Sequence, residues 1–553
     1  MPVQLHINQT EAAFESGANL FECANALGVR VPTSCRKQGK CKECLVEVTE
    51  GMELLSARGP EEEHLKEGFR LSCRCELAQD SGVVRCHTMR RGEMRIEHES
   101  LELLGNRKKL KLAPAVTRDG DRILLDGEEI DRRTGPIHGI AMDLGTTTVV
   151  LRLIDLETGE IVAASSFENP QRFGGSDVMS RIQYDTEQKG RVLQRTLLGY
   201  LSHAIEEFPV EADSIYEMVV AANSTMRDLM FGLNVYTIGQ NPYQSLTEIE
   251  VEEGKRATTS LSKTAKQLHL PLHPKARIYG MPIVSGHVGA DAAACMLAVD
   301  LANEDRTIAV MDIGTNTELI VGNRHRMIAA SCPAGPAFEG GAIKCGMPGL
   351  PGAIEKVWID EDEEEVSKIQ VIGDVAPVGI CGSGLINMLS EMLRSEMMNT
   401  LGRFEDSEDV VLAETDGEEI VFSESDVNEL AQAKGANVAG LRIAFKEMGI
   451  GFGDLDLFYL AGGFGRHLDL ASSKRIGLIP NLPDEKIVQV GNAAVEGACI
   501  ALLSVDKRVE LEAMIKQVQF CRLEADEGFF DYFVEGCQFK PVEDAVDEIL
   551  AHE

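Results

Sequence analysis

The chain has 553 residues and a formal net charge of −35, from 89 acidic and 54 basic side chains. So strong an excess of carboxylate argues against the cationic patches that nucleic acid or an anionic membrane surface requires. Apolar residues make up 44% and charged residues 26%, ordinary for a globular chain of several domains. No apolar run approaches the roughly 18 residues of a membrane span, and no leader pattern opens the chain. The 14 cysteines lie at scattered spacings, which fits a reducing compartment, so a cytoplasmic protein with no membrane or nucleic-acid partner is expected.

Val3, Leu5 and Ile7 alternate with polar residues, Asn8-Gln9 supply a turn, and Ala12 to Phe14 return, predicting a hairpin. Leu20, Phe21, Ala24 and Leu27 then recur at helical spacing, with Gly28 placed to end the helix. Val31-Pro32 leads into Cys35, Cys41 and Cys44, spaced C-x5-C-x2-C, and Cys73 arrives from a later strand. Three thiolates in one glycine-containing loop plus a distant fourth suit a 2Fe–2S rhombus, whose plant-type spacing is one residue shorter in the first interval. Structural zinc is the competitor, but it uses two C-x2–4-C pairs, and Cys73-Arg74-Cys75 is too close to provide the second. Cys75 and Cys86 are the alternative fourth ligands, and Cys23, on the helix, reads as a small core residue. The order hairpin, helix, cysteine loop resembles the 2Fe–2S ferredoxin family over residues 1–90, and Arg-Leu-Ser-Cys matches that family's approach at Cys73. The resemblance implies a β-grasp domain with a helix over a small sheet and the cysteine loop at its edge.

Residues 91–137 are charged, with short apolar stretches and a hairpin signal at Asp126-Gly127, and read as a linker, with a packed small domain as the alternative. After it comes an internal repeat. The segment from Gly139 reads Gly-Ile-Ala-Met-Asp-Leu-Gly-Thr-Thr-Thr, and that from Thr307 reads Thr-Ile-Ala-Val-Met-Asp-Ile-Gly-Thr-Asn-Thr. Each is an apolar strand, then Asp-x-Gly-Thr-x-Thr, then a second apolar strand. In Gly145, Thr146, Thr147 and Thr148, and again in Gly314, Thr315, Asn316 and Thr317, the glycine admits a phosphate close to backbone N–H groups and the hydroxyls add donors. Asp143 and Asp312 hold Mg²⁺, directly or through water. Two copies at a domain's separation are far more specific than one.

The duplication resembles the superfamily of acetate and sugar kinases, heat-shock chaperones and actin, two ribonuclease H-like domains with nucleotide between them. The adenosine-contacting turn that this implies is supplied by Gly462, Gly463, Phe464 and Gly465, and the helix after Gly491 closes the site. Gly382, Ser383 and Gly384 open another helix whose N-terminus suits an anion. Glu339, in a glycine-rich turn, is a candidate for orienting the attacking water. No G-x4-G-K-[ST] motif is present.

A ferredoxin head joined to a duplicated ATPase resembles the reductive activators of corrinoid proteins. That resemblance covers nearly the whole chain, including the segments 223–232, 282–294, 331–346 and 476–498. It implies a multidomain α/β and α+β protein: a ferredoxin-type domain at 1–90, the linker 91–137, and actin-like ATPase halves at 138–305 and 306–553. It further implies an electron passing from a low-potential donor through the cluster to a corrinoid protein's Co(II), with ATP and Mg²⁺ as the driving pair and a homodimer as the working species. With only Cys521 and Cys537 near the C-terminus, no four-iron module is expected there. Two other classes compete: an ATP-coupled electron donor to a dehydratase or reductase, and a redox adaptor that does not hydrolyse ATP. Asp360 to Glu365 read as a solvated acidic loop, Cys332 and Cys345 as packed thiols, and His287 as a structural histidine.

Overall fold

The computed structural model describes residues 2–90, 110–360, 365–405, 409–415, 417–463 and 465–542. The described residues of Met1–Glu93 with Pro114–Gly280 form one compact unit, and those of Met94–Ala113 with Met281–Glu553 form another. Among the described residues no helix is long and apolar enough to cross a membrane.

The first unit begins with the expected hairpin, β1 (Val3–Ile7) and β2 (Thr10–Phe14), paired from Val3–Phe14 to Ile7–Thr10. Asn8 takes a positive φ of 55° at the turn, and its side chain exchanges hydrogen bonds with Thr88. Helix α1 (Leu20–Ala26) is capped by Asn19 and buries Leu20, Phe21, Cys23 and Ala24. With β3 (Leu45–Glu50), β4 (Phe69–Leu71) and β5 (Gly82–Thr88), the sheet runs β2-β1-β5-β3-β4. The β1–β5 pair is parallel at its centre, the β-grasp arrangement.

Inside the stretch read as a linker, β6 (Val116–Asp119), β7 (Arg122–Leu125) and β8 (Glu128–Arg132) form an antiparallel meander. The Asp126-Gly127 hairpin is there, but the segment is packed rather than extended. Val116 and Ile123 are fully buried, and its charges are consumed in ion pairs, Arg118 with Glu157 and Asp126 with Arg277. Most of the first half of that stretch lies outside the described residues.

The second sheet of this unit comprises β9 (His138–Leu144), β10 (Thr148–Asp155), β11 (Ile161–Glu168), β12 (Ile215–Ala222), β13 (Leu261–Thr264) and β14 (Arg277–Gly280), in the order β11-β10-β9-β12-β14-β13. Three antiparallel strands are followed by β12 and β14 in parallel, with α2 (Val178–Glu187), α3 (Val192–Glu206) and α4 (Ser224–Met230) in the connections. The ferredoxin-type sheet and this sheet share one continuous apolar core, from Val3 and Leu45 to Tyr200 and Phe173.

The second unit repeats the pattern. After α5 (Ala290–Ala298), strands β15 (Ile308–Asp312), β16 (Thr317–Asn323) and β17 (Arg326–Cys332) are antiparallel. A smaller sheet of β18 (Ala353–Asp360), β19 (Glu365–Val371) and β20 (Gly379–Ile380) precedes α6 (Gly382–Arg394), and the hairpin β21 (Asp409–Thr415) and β22 (Glu418–Ser423) leads into the long α7 (Glu424–Met448). Strands β23 (Leu457–Ala461) and β24 (Ile487–Gly491) then join β15 in parallel, α8 (Ala493–Leu503) follows, and β25 (Val518–Phe520) closes the far edge. The order β24-β23-β15-β16-β17 mirrors β14-β12-β9-β10-β11. The repeated sequence is thus a repeated topology, the Asp-x-Gly-Thr segment being in each case the first hairpin turn beside the parallel strands.

Candidate cluster site and nucleotide loops

Cys41, Cys44 and Cys73 are buried and Cys35 is half-buried at the edge of the first sheet. Arg36, Lys37, Gly39 and Lys42 all take positive φ, so the loop coils back on itself and its backbone N–H groups converge inward. The backbone N–H groups of Cys41, Lys40 and Gln38 favour thiolate at Cys35, those of Glu43 and Ser34 do so at Cys41, and that of Gly39 does so at Cys73. The sulfurs fall into two pairs: Cys44 Sγ lies 3.2 Å from Cys73 Sγ, and Cys35 is hydrogen-bonded to Cys41.

The titrations follow this geometry. The hydrogen bond from Cys44, together with the Gly39 N–H and the Arg74 guanidinium, draws Cys73 down to about 7, and the same bond with burial pushes Cys44 far up. Burial raises Cys41; at Cys35 burial is outweighed by the converging N–H groups, and the thiol lies below its ordinary value. One thiol of the Cys44–Cys73 pair is therefore poised as thiolate near neutrality, the form that binds metal.

The alternative ligands lie elsewhere. Cys75 is fully buried and raised to about 12 by burial; Cys86 and Cys23 are likewise raised by burial, to about 12 and about 11. These three influence one another in the core under α1, where the Cys75 carbonyl accepts from the Leu20 N–H.

Behind the loop, Glu62 and Arg70 form a buried ion pair, with Glu62 Oε1 taking Arg70 Nε at 2.9 Å and the Leu71 N–H at 2.8 Å. That bond sets β4, and with it the approach to Cys73. Glu62→Ala leaves a buried guanidinium uncompensated and is expected to cost about 3–5 kcal/mol. Chemical unfolding followed by loss of visible cluster absorbance measures it; a midpoint equal to wild type would contradict this role.

In the first Asp-x-Gly-Thr loop Asp143 is the last residue but one of β9, and a Cβ on Gly145 would stand 2.8 Å from the Thr148 carbonyl, so only glycine fits the turn. Three successive carbonyls are tied from outside: Gly145 O accepts from Asn169 Nδ2 (2.8 Å), Thr146 O from Arg181 Nη2 (2.6 Å), and Thr147 O from the Asn169 N–H (2.7 Å). Asn223 Nδ2 holds the Thr146 hydroxyl at 2.9 Å. Because C=O and N–H oppose one another across a planar trans peptide, tying these carbonyls turns the N–H groups of Thr146 and Thr147 to the other side of the loop. That is an anion-binding arrangement.

In the second loop Asp312 ends β15 and accepts from Cys295 Sγ at 3.2 Å. Thr315 is held from two directions, its hydroxyl donating to Glu339 and its carbonyl accepting the Gly335 N–H at 2.8 Å. Glu339 is therefore placed on the loop's own threonine. Two acids not singled out from the sequence stand beside Asp312: Asp291 in the first turn of α5, and Glu318 at the second position of β16. Burial, then the Asp312 charge, raises Asp291 to about 7; burial with Asp291 and Asp312 raises buried Glu318 well above the carboxylate range. Glu318 accepts from the Ser331 hydroxyl at 3.0 Å. The signals were present in outline, a charge directly before the apolar Leu-Ile-Val run of β16 and an acid heading an alanine-rich helix.

Gly462, at φ 109°, abuts this loop: a Cβ there would lie 2.3 Å from the Ile313 carbonyl. Gly465 O accepts from Gln489 Nε2 at 2.8 Å, and Phe464 lies outside the described residues. The Gly382-Ser383-Gly384 turn is packed, since a Cβ on Gly384 would meet the Ile354 carbonyl at 2.2 Å. Cys332 is a buried thiol held up by burial, against Gly440 of α7.

Residues 5–78 match the profile of the 2Fe–2S iron–sulfur cluster binding domain. Residues 138–304 match that of the RACo middle region, and 306–548 that of the C-terminal, or ASKHA, domain of RACo. The chain belongs to the RACo family. The corrinoid activation enzyme RamQ of Eubacterium limosum is 27% identical, over 94% of this chain and 95% of its own length. The Co(II) methylated amine-specific corrinoid protein reductase of Methanosarcina barkeri is 27% identical, over 65% of this chain and 68% of its own. A solved structure, the reductive activator for corrinoid, iron-sulfur protein, aligns with a TM-score of 0.71 and 27% identity, covering 98% of this chain and 99% of that one. The RACo likeness therefore extends across head, middle and C-terminal parts alike.

Proposed function

We propose that this enzyme is an ATP-dependent reductive activator of a corrinoid protein, moving one electron from a low-potential donor to the partner's Co(II) and yielding Co(I), with ATP hydrolysed to ADP and phosphate. The observation that carries the reading is one chain holding both a four-thiol, N–H-lined loop and a duplicated phosphate-loop fold, with full-length relatives named for corrinoid activation and reduction. The loop fits a 2Fe–2S cluster: Cys35, Cys41, Cys44 and Cys73 would hold it, and the nearby N–H groups would stabilise thiolate charge. When bound, the cluster supplies a one-electron carrier whose potential in plant-type proteins lies near −400 mV. The acidic group at Asp312 fits a hard divalent cation, because Asp312 and Glu318, opposite each other on β15 and β16, and Asp291 bring carboxylate oxygens together and a cation would relieve their mutual repulsion. Asp312 in the second loop, and Asp143 in the first, are the carboxylates that would serve Mg²⁺ and the attacking water, each within its own unit. Thr146, Thr147 and Thr315 grip the phosphates, and the Gly462–Gly465 turn lies against adenosine.

A shortfall of two or three 59 mV steps is about 3–4 kcal/mol for one electron. A ligand that binds one state about 10⁴-fold more tightly than the other biases the equilibrium by about 5.5 kcal/mol, so state-dependent nucleotide binding is enough to supply it. The test is anaerobic: cluster-loaded protein, a Co(II) corrinoid protein and a mild reductant, with Co(I) followed by absorbance with and without ATP. Equal rate and extent without nucleotide would sink the reading.

The ligand assignment has its own check. Cys73→Ser is expected to lose or shift the visible spectrum of the cluster, whereas Cys75→Ser leaves it unchanged. The reverse pattern would move the fourth ligand two residues along the chain.

A further inference from the structure

One short segment, Asn169–Gly175, bonds both to the first phosphate loop and to the cluster domain. Its two ends are tied to the nucleotide loop. Asn169, fully buried, donates from its side chain to Gly145 O and from its backbone to Thr147 O; Gly175 O accepts from Arg181 Nε at 2.9 Å, and the same guanidinium holds Thr146 O. Its middle is tied to the head. Arg172 Nη1 lies 3.3 Å from Glu47, on the strand that begins directly after Cys44, and Glu47 also meets His87 of β5 at 3.1 Å. The Phe173 carbonyl accepts the Lys66 N–H at 3.3 Å, and its ring packs edge-on against His64. The segment itself is stiff. It is a 3-10 turn with a proline in its first turn, capped by Asn169, with buried Gln171 bonded to Leu193 O of α3 and Gly174 pressed on Leu193. A rigid piece fixed to the phosphate loop at both ends and to the cluster strand in the middle cannot shift at one without moving the other.

We propose that Asn169–Gly175 is the coupling element through which nucleotide at the first phosphate loop acts on the cluster head, with Arg172 the positioning residue that delivers the motion to Glu47. This rests on the ATP-dependent reading above. Arg172 itself lies outside the loop that binds phosphate, so its loss separates coupling from nucleotide affinity. It also pairs with buried Glu168 at 2.9 Å, so the head-side variant Glu47→Ala, which removes the acceptor altogether, provides a second break that leaves that bond intact.

The experiment uses the full-length, cluster-loaded protein and a non-hydrolysable ATP analogue, with amide hydrogen exchange read across residues 42–48 and 64–70 and nucleotide affinity measured alongside. Wild type is expected to show exchange in those head segments changed by about fivefold or more on nucleotide binding, the lower end of measured couplings. Arg172→Ala and Glu47→Ala should each abolish most of that change while keeping the cluster spectrum and nucleotide affinity. The double variant should lose no more than either single one, the signature of a shared link. Two results would overturn the inference while leaving the activator reading intact: nucleotide bound by wild type with no change in head exchange, or a full nucleotide effect surviving in Arg172→Ala. Failure of wild type to bind the analogue would overturn the activator reading, and the inference with it.

Discussion

Asp312→Ala is expected to slow ATP hydrolysis by about 100-fold or more, the usual scale for removing one positioned electrostatic group from a catalytic centre. Asp312 ends a central strand, its loop is fixed by Glu339 and Gly335, and its charge is felt by both Asp291 and Glu318. Removing it takes away an oxygen ligand for a divalent cation and frees Asp291 to ionise at lower pH, since Asp312 is one of the two causes that raise it. Steady-state phosphate release with partner present measures the effect. A rate within a few fold of wild type would place the chemistry elsewhere in the protein. Glu339→Gln distinguishes two roles at the same site. If its work is to hold Thr315, the amide preserves an acceptor for the hydroxyl and hydrolysis falls much less than in Asp312→Ala. If it orients water as a base, the two variants fall together.

Local pattern made much of this architecture legible. The alternation of Val3, Leu5 and Ile7 and the Asn8 turn produced the hairpin in register, and the repeated strand–turn–strand segments became the first hairpin of each six-stranded sheet. Those signals are short-range, set by side-chain periodicity and by the conformation that glycine and asparagine permit. What escaped the sequence is long-range. Arg181 and Asn223 reach Thr146 from other elements, and nothing in their own neighbourhoods marks them as loop-holding groups. Asp291 and Glu318 become informative only once folding sets them beside Asp312. The meander at Val116–Arg132 was read as linker because its burial is thin. Val116 and Ile123 do the packing, and the charged majority finds partners such as Glu157 and Arg277 on strands or turns distant in sequence. Ionic patterning of that kind resembles a solvated tether until the partners are placed.

The cluster and nucleotide sites should separate cleanly under mutation, and the largest effects are expected from breaking each in turn. Cys44→Ala removes a fully buried sulfur 3.2 Å from Cys73 and is expected to bleach the protein and end Co(I) formation with a mild donor. Partner-stimulated hydrolysis should persist, because the phosphate loops are assembled from β9, β10, β15 and β16 and their own carbonyl-holding side chains, none of which lies in the cysteine loop. Asp143→Ala should do the reverse. Its cluster absorbance and its capacity to accept an electron from a strong reductant stay at wild-type levels, since thiolates, burial and N–H groups set the cluster's properties locally. Yet Co(I) should not accumulate with a mild donor, because the nucleotide-driven bias is gone. Measuring iron content, hydrolysis and Co(I) absorbance on the same two preparations decides the matter. If Asp143→Ala still brings the corrinoid to Co(I) as far and as fast as wild type, nucleotide is not the source of the driving force, and the chain acts as a redox adaptor whose ATPase fold serves only to hold its partner.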